Sequence, residues 1–147
     1  MTLFYYYLAL INAAVSLAVA GAVFVRNRYR AVGPLFGTAM VLLALWMLGF
    51  AHYFLPLGRA EAMHWAKITL SASILIHPFL FHSLCALVEK MRRFRWWITA
   101  FYAMAPVFLV LLWQGDLLTG LRPSPYMTHY VSYNRAWYPI LGGYILL

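Results

Sequence analysis

Four apolar runs separated by short charged or turn-forming connectors dominate the chain. Each is long enough to cross about 30 Å of hydrocarbon as a helix rising about 1.5 Å per residue. The pattern predicts spans over about residues 3–25, 35–57, 66–88 and 96–113, and a fifth, incomplete run over 138–147. The third run organises the others. From Ile68 to Val88 it contains no Asp, Glu, Lys or Arg, yet it holds His77, Pro78 and His82 near its middle, and Lys90, Arg92, Arg93 and Arg95 follow at once. The expected fold is all-α, a polytopic transmembrane helix bundle of four full helices plus part of a fifth, forming a single membrane domain over residues 1–147.

Local features refine that outline. Tyr5, Tyr6 and Tyr7 open the first span where amphipathic rings favour the headgroup region. Ala14, Ala18 and Ala22 recur every four residues, a spacing that lets a neighbouring helix approach closely, and Asn12 with Ser16 is expected to hydrogen-bond between helices. Gly33-Pro34 opens the second helix, because proline's missing N–H is no loss in a first turn. Trp46 falls near the middle of that span, where burial between helices fits better than lipid exposure, and His52 lies about a turn and a half from its end, within reach of interfacial water. Gly58 to His64 forms a short connector; Trp65 then marks an interface and Lys67 can extend its ammonium to the headgroups. Trp96-Trp97 and Trp113 bracket the fourth span, which Pro106 should kink. Gln114 to Tyr138 is the longest non-spanning stretch and carries the rings Tyr126, His129, Tyr130, Tyr133, Trp137 and Tyr138, which suit an aromatic belt first and a ligand-binding surface second.

Composition agrees with a membrane solvent: 65% of residues are hydrophobic and 10% charged, outside the range of soluble domains. Lys+Arg at 11 against Asp+Glu at 3 gives a net charge of +8, but the cations sit in short clusters between apolar runs, as topogenic loops do, so nucleic acid is not an expected partner. Arg26, Arg28, Arg30, Lys90, Arg92, Arg93 and Arg95 fall on one side, and Arg59, Lys67, Arg122 and Arg135 on the other. The positive-inside rule puts the first set in the cytoplasm and the N-terminus outside. Ala18-Val19-Ala20 resembles a cleavage site, but nothing before Arg26 is charged and the run continues to Val25, so a retained helix is expected. The single cysteine, Cys85, permits no intramolecular disulfide.

Several stretches together resemble the N-terminal seven-helix membrane region of bacterial sensor histidine kinases and related signalling proteins. They are A-L-W-M-L-G-F-A at Ala44 to Ala51, W-A-K at Trp65 to Lys67, mid-span Pro78, F-L-F-H before a basic turn, and W-Y-P at Trp137 to Pro139. The resemblance implies an outward N-terminus, seven helices, a bacterial inner-membrane location and a cytoplasmic output such as a kinase. The chain ends within the fifth helix, so the C-terminal helices and output domain are expected in a longer protein. No autophosphorylation motif or nucleotide-binding glycine loop occurs in these residues, and the chain itself is expected to be no enzyme.

The expected function is therefore a membrane sensor or input region, with a small subunit of a transport or b-type cytochrome-like complex as the alternative. Haem ligation would need two histidines at similar depth on facing helices. Taken as straight helices, His52 lies about 7 Å below one edge and His77 about 15 Å, while His77 and His82 point about 140° apart at about 100° per residue. No cofactor and no metal site is expected. Ionisable groups inside a membrane are functional candidates by default, so the candidate ligand or sensing residues are His77, His82, Pro78, Trp46, His52 and Tyr130, with no catalytic residue. Neutral histidines hydrogen-bonded between helices are the first reading of these rings, and a ligand or proton site the second. The bilayer, the further helices and output domain, and a homodimer are the partners this reading accommodates.

Overall fold

A computed structural model of the protein describes residues 2–27, 30–122 and 130–146. The expected helix bundle is present: α1 (Thr2–Arg26), α2 (Val32–Ala51, extended by a 3-10 turn, His52–Phe54), α3 (Arg59–Leu87), α4 (Met91–Gln114) and a short α5 (Tyr138–Leu146). Four of these helices are long and apolar enough to cross a membrane, and this is a membrane protein of the all-α class. The connection between α4 and α5 carries a hairpin, β1 (Leu118–Arg122) antiparallel to β2 (Tyr130–Tyr133), with Gly120 opposite Ser132 and a bulge between Leu118 and Gly120. Short loops make α1 to α4 sequential neighbours, and α3 touches α2, α4, α5 and β1.

The boundaries depart from the sequence reading where local chemistry overrides apolarity. The second span stops at Phe54 rather than residue 57, because Leu55 precedes Pro56 and is extended at φ −92°, ψ 147°. The third begins at Arg59 rather than about 66. Gly58 is extended, and Arg59, Ala60, Glu61 and Ala62 are adequate helix formers with an acid in the first turn. At 29 residues α3 is about 43 Å long, so its first turns stand clear of the apolar layer. The fourth span likewise starts at Met91, which places Arg92, Arg93 and Arg95 on a helix instead of a connector.

Helix packing follows from small residues, since lipid supplies no hydrophobic drive between helices. On α1 the buried stripe is Ala9, Ala13, Ser16 and Ala20. Ala14, Ala18 and Ala22 lie on the opposite, exposed face, so that spacing does not mark the contact with α2. Asn12 and Ser16 do not bridge helices in this chain: Asn12 Nδ2 donates to Leu8 O at 2.9 Å and Ser16 Oγ to Asn12 O at 2.8 Å, each satisfied within its own helix. Opposite α1, Gly37 gives room to the Phe24 ring. Between α2 and α3, a Cβ at Gly49 would collide with Thr69 Oγ1, so only glycine permits this approach. The main core joins Leu70 and Ile74 of α3, Phe101, Ala105, Phe108 and Leu112 of α4, Leu118 and Val131 of the hairpin, and Leu141 and Tyr144 of α5.

Both helix ends beside the core are closed by the backbone. Gly115, at φ 98°, ends α4 and lets Asp116 N–H return to Leu111 O at 3.0 Å. At the end of α3 the left-handed position is occupied by Glu89, at φ 57°, with Lys90 N–H on Cys85 O at 2.9 Å and Glu89 N–H on Ala86 O at 3.2 Å.

Candidate functional site

Pro78 is fully buried inside α3. Lacking an N–H, it cannot bond the carbonyl four residues back, that of Ile74, and an unpaired carbonyl among apolar helices costs free energy. Tyr144 supplies the missing donor: its hydroxyl donates to Ile74 O at 2.9 Å across the α3–α5 interface. The Tyr144 ring is held by Phe101 and Phe108 of α4, with centroids at 5.4 and 5.0 Å, and lies 5.9 Å from His77. One side chain of α5 thus meets both the proline defect in α3 and the aromatic face of α4.

The candidate histidines do not converge on a common point. His77 Nδ1 donates to Ser73 O at 2.7 Å and His52 Nδ1 to Leu48 O at 2.7 Å. A carbonyl can only accept, so both rings carry the proton on Nδ1 and leave Nε2 as acceptor when neutral. His52 stacks on Trp65 at 3.6 Å, within 11° of parallel. His82, half-buried, faces Tyr102 of α4, with Nδ1 3.4 Å from the phenol oxygen. These three imidazoles each have a different aromatic partner, Trp65 for His52, Tyr144 for His77 and Tyr102 for His82. Among the described residues no group of three or more His, Cys, Asp or Glu is placed to hold a metal ion.

Trp46 is half-buried and stacks on Phe50 at 5.7 Å along α2. The backbone of Tyr130 pairs with Arg122 at the start of β2; its side chain, with Tyr126, His129 and Arg28, lies outside the described residues. Of the six sequence candidates, His77 and Pro78 are brought together, His82 sits about a turn further along α3, and His52 and Trp46 belong to α2. Tyr144 and Ile74, which complete the site, carry no signal of their own. The usable signal was Pro78, since a proline within a span demands a donor for the residue four positions earlier.

A second polar cluster pins α3 to α4 near the hairpin. Lys67 Nζ donates to Trp113 O at 3.2 Å and lies 5.5 Å from the Trp113 ring centroid, while Trp113 Nε1 donates to Ser71 Oγ at 3.1 Å. Lys67 therefore caps the end of α4, where a cation also favours the helix dipole, instead of extending freely to headgroups. The chain matches no protein-family model, no curated protein and no solved structure.

Proposed function

We propose that the chain is the membrane input region of a bacterial signalling receptor of the sensor histidine kinase kind. In this reading it sits in the inner membrane with its N-terminus and hairpin outside, and its output domain lies elsewhere in the full protein. The observation that carries the reading is the Tyr144–Ile74 bond at Pro78. The base of the hairpin is tied by Asn134, which donates from Nδ2 to Asp116 O and from its backbone N–H to Leu117 O, each at 3.0 Å. Trp137 N–H bonds Asn134 O at 3.2 Å where α5 begins. A ligand or membrane signal acting on the hairpin has a short covalent route along α5 to Tyr144, whose hydrogen bond reaches α3 at its proline defect.

Magnitudes suit a switch. A side-chain hydrogen bond between membrane helices is worth about 0.6 to 1.7 kcal/mol, enough to shift a two-state equilibrium about threefold to about twentyfold, yet weak enough for a ligand to overcome. The charge asymmetry of the connectors and the resemblance to seven-helix sensor regions support the orientation and the output class. Full-length protein in nanodiscs is the test: Tyr144→Phe should change ATP-dependent autophosphorylation about threefold or more while the helix content stays intact. Unchanged output, or a transport domain in the full-length protein, would refute the proposal.

A further inference from the structure

Asn134, between β2 and α5, uses every polar group it has. As a donor it faces back: Nδ2 bonds Asp116 O and the backbone N–H bonds Leu117 O, each at 3.0 Å, just past the end of α4. As an acceptor it faces forward: Oδ1 takes the N–H of Ala136 at 3.0 Å and the backbone oxygen takes that of Trp137 at 3.2 Å, at the entry to α5. Exchanging the amide's oxygen and nitrogen would break both side-chain bonds, so its orientation is fixed. The end of α4 is in turn fastened to α3, since Trp113, three residues before Asp116, bonds both Lys67 and Ser71. On the other side Trp137 O accepts from Leu141 N–H at 2.9 Å, and Tyr144, about two turns beyond Trp137, donates to Ile74 O. The contacts form a closed circuit that leaves α3 at Lys67 and Ser71 and returns to it at Ile74.

We propose that Asn134 is the positioning residue for Tyr144: by holding the entry of α5 against the exit of α4, it sets whether the phenol reaches Ile74 O. Hydrogen bonds are directional, and a shift of about 1 Å at the entry of α5 is enough to take the hydroxyl off the carbonyl. The short carboxamide offers a donor and an acceptor at once; aspartate keeps the acceptor and loses the donor, and alanine loses both. The rival determinant is apolar packing, since Leu118, Val131 and Leu141 are buried in the core that Tyr144 also joins. Packing of that kind is non-directional and tolerates small displacements. The effect on the Tyr144 bond needs only these contacts, whereas its consequence for output rests on the proposed input role: a signal that parts Asn134 from Asp116 would release Tyr144 from the proline defect.

Unfolding of the chain by SDS titration reads this role as a coupling. Tyr144→Phe should lower the folding equilibrium constant about threefold to about twentyfold in the otherwise wild-type chain, and under about twofold in an Asn134→Ala background. Asn134→Asp keeps the bond to Ala136 and gives up the one to Asp116. It should uncouple Tyr144 as alanine does, and it carries the cycle should the alanine variant not fold. Thr119→Ala is the control, since Thr119 bonds Ser132 across the hairpin but lies off the circuit; there Tyr144→Phe should keep its full effect. A merely stabilising asparagine would leave the cost of Tyr144→Phe the same in every background. That result, the full cost retained in Asn134→Asp, or an equal loss of coupling in Thr119→Ala would overturn the proposal. In full-length protein in nanodiscs, Asn134→Ala should change autophosphorylation as Tyr144→Phe does, with no further change on combining them. Coupling in the titration with output unmoved by either variant would leave the positioning role standing and refute the input-region reading.

Discussion

Tyr144 donates to the carbonyl oxygen of Ile74, the residue four positions before Pro78. The bond exists because the proline leaves that carbonyl free, so the worth of the tyrosine hydroxyl depends on the identity of residue 78. Tyr144→Phe should destabilise the protein by about 0.6 to 1.7 kcal/mol. In a Pro78→Ala background the restored N–H can take Ile74 O itself, and the same change should cost clearly less. Unfolding by SDS titration of the four proteins measures the coupling. Equal costs in the two backgrounds would show that the hydroxyl does not serve the proline defect.

The α2–α3 contact predicts an intolerant glycine. Gly49→Ala places a methyl 3.1 Å from Thr69 Cβ and in collision with Thr69 Oγ1, which should cost about 1 to 3 kcal/mol. Thr69→Ala removes the colliding hydroxyl, so the double variant should recover part of the loss. A double variant no more stable than Gly49→Ala would place the strain elsewhere.

Glu89 holds a left-handed conformation that an L side chain adopts at a cost. Glu89→Gly should therefore raise stability by about 0.5 to 1 kcal/mol, whereas Glu89→Ala keeps the strain and should change little. If both variants gain equally, removal of the negative charge beside the arginines, and not backbone relief, is responsible.

The proposed orientation is open to direct labelling. In a Cys85→Ala background, Thr119→Cys on the hairpin should react with an impermeant maleimide in intact cells, and Asn27→Cys beside α1 should react only after lysis. The reverse pattern would invert the bundle.

Spans were legible in the sequence because a membrane crossing demands an unbroken apolar run, and α1 to α4 supply one each. Their ends were less legible: Arg59 to Lys67 and Met91 to Arg95 are charged, yet helix continues through them because a solvated turn needs only adequate propensity. The hairpin was missed, since Leu118–Arg122 and Tyr130–Tyr133 are too short for a period-two pattern to emerge from an aromatic-rich stretch. Pro78 and His77 were visible as oddities within a span. Tyr144 was not, because one tyrosine in an apolar run looks the same whether its hydroxyl meets a freed carbonyl or not. The Ala14, Ala18 and Ala22 spacing was visible but lies away from α2, and periodicity cannot say which of two small-residue stripes faces a neighbour.

The pin at Lys67, Ser71 and Trp113 has a mechanical consequence. It fastens the far end of α4 to the part of α3 before Pro78, whereas the His82–Tyr102 and Phe81–Phe94 contacts join the middle and the first turn of α4 to the part beyond the proline. Any flexing at Pro78 therefore turns α4 about a pivot at Trp113. From there to Arg93 the helix, unbroken through Pro106, is about 30 Å long. A tilt of only about 5° would swing the arginines by about 3 Å over that length, so the greatest travel falls where the charge is densest.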